Sequence, residues 1–114
     1  MISKPKISVI TPVFNGAEYI AETIESVLNA KTSVSIEYIV INDGSTDRTK
    51  EILAQFSERI SVFHFENSGE SASVNRGLEI ANGEYVMVVS ADDPILEGKL
   101  FDKAIQMRLV KHHF

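Results

Sequence analysis

Residues 85 to 94 read YVMVVSADDP: five apolar or aromatic residues lead through Ser90 and Ala91 into two adjacent carboxylates, Asp92 and Asp93, and then Pro94. Adjacent carboxylates repel, and both cannot enter a core. One arrangement that uses both has one carboxylate on a divalent cation while the other accepts a hydrogen bond from a ligand hydroxyl. Mg²⁺ and Mn²⁺ take oxygen ligands and complete their shells with water and substrate phosphates. A cation bridging a diphosphate also neutralises charge as that group departs. By itself the string ADDP reads first as a polar turn with a helix-capping aspartate.

Asp43 poses the same choice. It opens DGSTD, which is turn-and-cap chemistry, yet it stands at the end of the apolar run EYIVIN, where a base or a ribose can meet it. Asp47 reads as a first-turn helix acid, and Asn15 as a helix cap before a ligand neighbour. His64 alternates with Phe63 and Phe65 and reads as a satisfied core or edge residue; His112 and His113 carry no specific role. Tyr19 and Tyr85 read as packing residues. The chain has five aspartates, at 43, 47, 92, 93 and 102, and four of them fall in two short segments that each follow an apolar run.

The elements that must position these groups come next. KISVIT (Lys6–Thr11), EYIVIN (Glu37–Asn42), ISVFHF (Ile60–Phe65) and YVMVVS (Tyr85–Ser90) are short and mostly apolar, with β-branched or aromatic residues throughout, as strands buried on both faces are. Helical spacing separates them. Asn15 with Glu18 resembles a capping box before Ile20, Ile24, Val27 and Leu28. Ser45 or Asp47 caps a second helix with Ile52, Leu53 and Phe56 inward. A third runs from about 71 to 81 with Val74, Leu78 and Ala81 on one side and Asn82-Gly83 as its stop. A fourth follows Pro94, with Leu100, Phe101, Ala104, Ile105 and Leu109 as its apolar stripe. The order β-α-β-α-β-α-β-α predicts an α/β fold, a parallel sheet between helices in a three-layer sandwich.

Ligands of such sheets bind beyond the carboxyl ends of the strands. Four loops open there, TPVFNG, NDGSTD, ENSGES and SADDP, and they gather Asn15, Asp43, Asp47, Asn67 and the Asp92-Asp93 pair, with Gly16, Gly44 and Gly69 allowing close backbone approach.

The totals narrow the classes. At 114 residues with 44% hydrophobic and 24% charged content, one globular domain is expected. No cysteine is present, which removes disulfides and thiolate metal sites. A formal charge of −5 argues against a nucleic-acid binder, which needs many Lys and Arg contacts, but not against one phosphorylated small molecule held by a metal. No signal peptide is apparent and no apolar run approaches membrane-spanning length, so a soluble, intracellular protein is expected.

Taken together, ISVITPVFNGAEYIAETIESVLNA, EYIVINDGSTDRT and NSGESASVNRGLEIANGEYVMVVSADD resemble, in order and spacing, the nucleotide-binding half of a family 2 glycosyltransferase of the GT-A fold. The resemblance covers about Ile7 to Leu100. It implies that Thr11, Pro12, Val13 and Phe14 wall the nucleotide base, that Asp43 hydrogen-bonds it, that Asn75 and Asp92 join the nucleotide contacts with Asp92 on the ribose side, and that Asp93 ligates Mn²⁺ or Mg²⁺ on the diphosphate. It implies a nucleotide-diphosphate sugar as donor, a UDP-sugar in first place, and a saccharide or lipid-linked saccharide as acceptor. It also implies a cytoplasmic setting peripheral to a membrane.

Three features depart from that family's pattern. Ser90 stands where many relatives have an aspartate, and Ser73-Val74-Asn75 where many have Ala-Arg-Asn, with Arg76 following. The half that carries the acceptor site and a catalytic base has no counterpart here, so the chain reads as a truncated glycosyltransferase, inactive alone, with an exposed sheet edge that invites a homodimer. The alternative is a module that binds nucleotide or nucleotide sugar and transfers nothing. A receiver domain fits poorly, because its acidic pair should follow the first strand and its phosphoacceptor aspartate the third. A dinucleotide fold or P-loop fits no better, since TPVFNG has one glycine where several are needed.

Overall fold

The computed structural model describes residues 5–30, 34–92 and 110–111. In chain order the elements are β1 (Ile7–Val13), α1 (Ile20–Leu28), β2 (Ile36–Asp43), α2 (Thr49–Ala54), β3 (Ser61–Phe65), α3 (Glu70–Ile80), β4 (Tyr85–Val88) and β5 (Val110–Lys111). The four apolar runs became four parallel strands in the order β3-β2-β1-β4, and β5 adds to the β4 edge antiparallel. The expected helix after Pro94 lies outside the described residues, as does Asp93. β5 was not expected; a two-residue strand is too short to show a period. It pairs with Tyr85 and Val86, so the edge expected to be bare is partly covered by the chain itself.

β1 is buried at all seven positions because it lies inside the sheet with helices on both faces. Ile7, Val9 and Val13 pack with Ile20, Ile24 and Val27 of α1 and with Leu53 and Phe56 from the α2 segment. Ile10 points the other way and packs with Ile39, Ile41, Ala81 and Val86 beneath α3. Two cores on opposite faces make the three layers.

α3 meets its expected burial at Ala81, which is buried beside Ile10, and differs from it along the helix itself. Its most buried positions are Ser73 and Gly77, with Val74 and Leu78 half-buried. The cause is close approach: a Cβ on Gly77 would stand 2.6 Å from Ile10 Cγ2. Beyond α3, Gly83 N–H donates to Ser8 Oγ at 2.7 Å, and the Ser8 hydroxyl and the Asn82 N–H both donate to Glu37 Oε1. The edge opposite the functional loops is therefore stitched together by polar contacts between β1, β2 and the α3–β4 turn.

Candidate functional site

The loop after β1 is tied to the loop after β2. Asn15 adopts φ +50°, a left-handed conformation that Asn tolerates. Its Oδ1 accepts from the N–H of Thr46 at 2.7 Å and of Asp47 at 3.3 Å, while its own N–H donates to Ser45 Oγ at 2.9 Å. Gly16 N–H donates to Thr49 Oγ1 at 2.9 Å. Asn15 thus does not cap α1, whose N-cap position is Tyr19 and has no side-chain cap. The φ of Asn15 turns its side chain to the neighbouring loop, where two free N–H groups await it. The cap expected of Asp47 falls one residue early: the N-cap position of α2 is Arg48, without a side-chain cap, and Asp47 Oδ1 accepts from Thr49 N–H at 2.9 Å while Oδ2 accepts from Ala17 N–H at 3.1 Å. These bonds, the Thr49 hydroxyl first, hold its carboxyl below the usual carboxylate range.

Asp43 ends β2, buried at 3% exposure. Its carboxylate is forked onto the loop before α3: Oδ1 accepts from Ser68 N–H at 2.7 Å and Oδ2 from Gly69 N–H at 3.0 Å. Asn67 Nδ2 donates to the Asp43 carbonyl at 3.0 Å. Gly44, at φ +71°, makes this possible, since a Cβ there would lie 2.5 Å from Asn67 N. An ionised carboxylate has about four lone-pair sites, so acceptor capacity for a ligand is left over.

The segment after β4 leaves the sheet along β1, with Val89 N–H donating to Ile10 O at 2.9 Å. The Thr23 hydroxyl of α1 then donates to the Ala91 carbonyl, which fixes where the chain turns before Asp92. Asp92 itself is exposed.

These pieces enclose a cleft of about 220 Å³ lined by Pro12, Val13, Phe14, Tyr19, Asp43, Glu70, Ser90, Ala91 and Asp92. It lies at the ends of β1 and β4, where the chain order reverses across the sheet. β1 lies between β2 and β4, so the Asp43 and Asp92 ends of the cleft are separated by two strand spacings, roughly 10 Å. Phe14 is 49% exposed and offers an aromatic surface between them. The lining holds three carboxylates and no Lys or Arg. Such a field attracts cations and opposes a bare diphosphate.

Of the residues expected from sequence, Pro12, Val13, Phe14, Asp43 and Asp92 line the cleft. Thr11 is fully buried below it, its hydroxyl 2.9 Å from the Tyr38 hydroxyl. Asn75 is exposed on α3, away from the lining. Tyr19, read as packing, and Glu70, Ser90 and Ala91, not singled out as contacts, are brought in. Glu70 directly follows Gly69, in the same loop end that faces Asp43, and that adjacency was its available signal. His64 is a satisfied edge residue, its Nδ1 3.0 Å from Asn42 Nδ2, and its pKa is lowered by burial and by Lys50.

Among the described residues no three acidic or histidine side chains converge on a common point. A Mg²⁺ or Mn²⁺ that shares its shell with a diphosphate needs only one or two carboxylates, so the hard oxygen donor at the Asp92 end of the cleft suits such an ion.

Helices on both faces of a sheet with this order, and a cleft at its switch point, are the architecture of GT-A glycosyltransferases. The chain matches S. aureus TarS 1–349, solved with UDP-GlcNAc, at a TM-score of 0.75 and 32% identity, over 88% of this chain and 30% of that one. It matches a Pyrobaculum calidifontis mannosyltransferase, solved with GDP-Man and Mn²⁺, at a TM-score of 0.75 and 23% identity, over 91% of this chain and 32% of that one. The uncharacterized glycosyltransferase RT0329 of Rickettsia typhi is 42% identical over 96 residues, 84% of this chain and 30% of its own length. The model of glycosyl transferase family 2 matches residues 8–105, and the chain belongs to that family. It spans about a third of the length of these relatives.

Proposed function

We propose that this chain forms the donor-binding part of a glycosyltransferase that moves a sugar from a nucleotide-diphosphate sugar to an acceptor hydroxyl. The observation that carries the reading is one cleft running from the satisfied Asp43 carboxylate, past the exposed Phe14 face, to Asp92. Phe14 stacks the base and Asp43 accepts a base N–H with its remaining lone pairs. Asp92, held in place through Thr23 and Ala91, faces the ribose, and Asp93 supplies the ligand to Mn²⁺ or Mg²⁺. When bound, the cation neutralises charge that builds on the departing diphosphate. The three carboxylates of the lining make the metal complex, not the free diphosphate, the species that enters. That TarS was solved with UDP-GlcNAc supports a nucleotide sugar as donor. No residue described here is assigned as the base that deprotonates the acceptor, taken to be a saccharide or lipid-linked saccharide. With the reading goes a cytoplasmic setting at a membrane surface.

Calorimetric titration with UDP, with and without Mn²⁺, beside Asp93→Asn, tests it. Binding that needs the metal and is lost in the variant is expected. A folded protein that binds neither UDP nor GDP in the presence of Mn²⁺ would overturn the reading.

A further inference from the structure

The loop that satisfies Asp43 has a cationic side chain braced against it. Arg76 lies in the second turn of α3, with its guanidinium carbon 4.3 Å over the Phe65 ring and Nη2 donating to Ser68 Oγ at 3.3 Å. Phe65 is the last residue of β3 and Ser68 sits midway along the connection to α3, so one planar group touches this loop at its root and at its crown. The Ser68 hydroxyl in turn donates to the Glu66 carbonyl at 3.0 Å, and the Ser68 N–H holds Asp43 Oδ1 at 2.7 Å. Nη1 is buried without a hydrogen-bond partner. Leaving that donor unmade costs free energy, so the guanidinium stays where it is because stacking and the Ser68 bond outweigh the cost.

We propose that Arg76 is a positioning residue for base selection: by bracing residues 66–69 on Phe65 it aims the Ser68 and Gly69 N–H groups, and through them the Asp43 carboxylate, at a base edge that carries an N–H. The proposal rests on the reading of Asp43 as the base contact. Uracil at N3 and guanine at N1 present a donor that a carboxylate accepts, whereas cytosine N3 and adenine N1 present a lone pair that a carboxylate repels. A well-aimed Asp43 therefore favours UDP over CDP, and a loosened one loses that preference. Arg76 does not line the cleft, so its effect must pass through the loop.

The test is titration of the whole chain with UDP and with CDP, each with Mn²⁺, for wild type, Arg76→Ala, Arg76→Lys, Asp43→Ala and the Arg76→Ala/Asp43→Ala double variant. Arg76→Ala is expected to weaken UDP by about tenfold and leave CDP unchanged, shrinking the preference. Arg76→Lys does not restore it, because an ammonium lacks the flat face that stacks on Phe65. The double variant binds UDP no more weakly than Asp43→Ala alone, as residues acting through one contact do. If Arg76→Ala weakens both nucleotides by the same factor, changes neither, or adds its full effect to that of Asp43→Ala, the proposal is overturned while the nucleotide reading stands. If the folded wild type binds neither UDP nor GDP with Mn²⁺, that reading falls and the proposal with it. Should Arg76→Ala fail to fold, Phe65→Leu removes the stacking face from the other side and must give the same loss of preference.

Discussion

Asp47 shows how one short side chain can serve two loops. Its Oδ1 takes the Thr49 N–H at the start of α2 and its Oδ2 takes the Ala17 N–H of the loop after β1. Losing an exposed carboxylate that accepts two backbone N–H bonds costs about 1 kcal/mol, so Asp47→Ala should lower the urea midpoint at neutral pH by a matching amount. The pH dependence has a definite sign. The folded carboxyl titrates below its ordinary 3.8, so its contribution is complete above that value and is lost as pH falls through the folded pKa. Urea titrations of wild type and Asp47→Ala from pH 7 downward should therefore show the gap narrowing only below pH 3.8. A gap unchanged down to acid unfolding would mean that these bonds do not depend on the charge. DGSTD made an acid at the start of α2 legible, but not its reach to Ala17. That Asn15 would serve this loop and not α1 was not legible, because its partners at Thr46 and Asp47 come from a segment thirty residues away.

At the scale of elements, α3 carries the most specific constraint. Hydrophobic spacing points to Val74 and Leu78 as its inward face, but Ser73 and Gly77 are the ones pressed on the sheet. Pattern reading looks for large apolar residues, and a helix that approaches a strand closely selects small ones instead. Gly77→Ala places a methyl 2.6 Å from Ile10 Cγ2, and Ile10 is fully buried and has no room to yield. The expected cost is about 1–3 kcal/mol of overpacking, against the few tenths to one that alanine would add in an open helix. Thermal denaturation of Gly77→Ala decides between the two signs. A stabilised variant would show that α3 can move away from β1. Since α3 begins at the loop that holds Asp43, nucleotide affinity should fall along with stability.

For the whole molecule, the cleft couples binding to folding. A ligand that binds only the folded state stabilises it by about 2.7 kcal/mol at a hundredfold excess over its Kd. Melting with saturating UDP and Mn²⁺ together should raise the midpoint by several degrees, with UDP alone giving little, because three carboxylates line the cleft without a compensating cation. Equal shifts with and without the metal would remove the electrostatic argument for entry as a metal complex. Among the described residues, no helix is long and apolar enough to cross a membrane.

What the sequence determined by itself was periodicity and chain order. Runs such as KISVIT and EYIVIN suit strands buried on both faces, and their alternation with helical stripes points to a parallel sheet whose functional loops share one edge. The motif set from ISVIT to SADD was enough to place the chain beside its family. What the tertiary structure alone decided was which atoms meet. Asp43 is satisfied by N–H groups at 68 and 69, Thr23 holds the Ala91 carbonyl, Tyr19 and Glu70 enter the cleft while Thr11 sinks beneath it, and β5 returns to cover part of the β4 edge. The physical reason is the range of the forces involved. Burial and backbone hydrogen bonding act on every residue of an element and leave a period in the sequence. A single side-chain contact between distant segments leaves none.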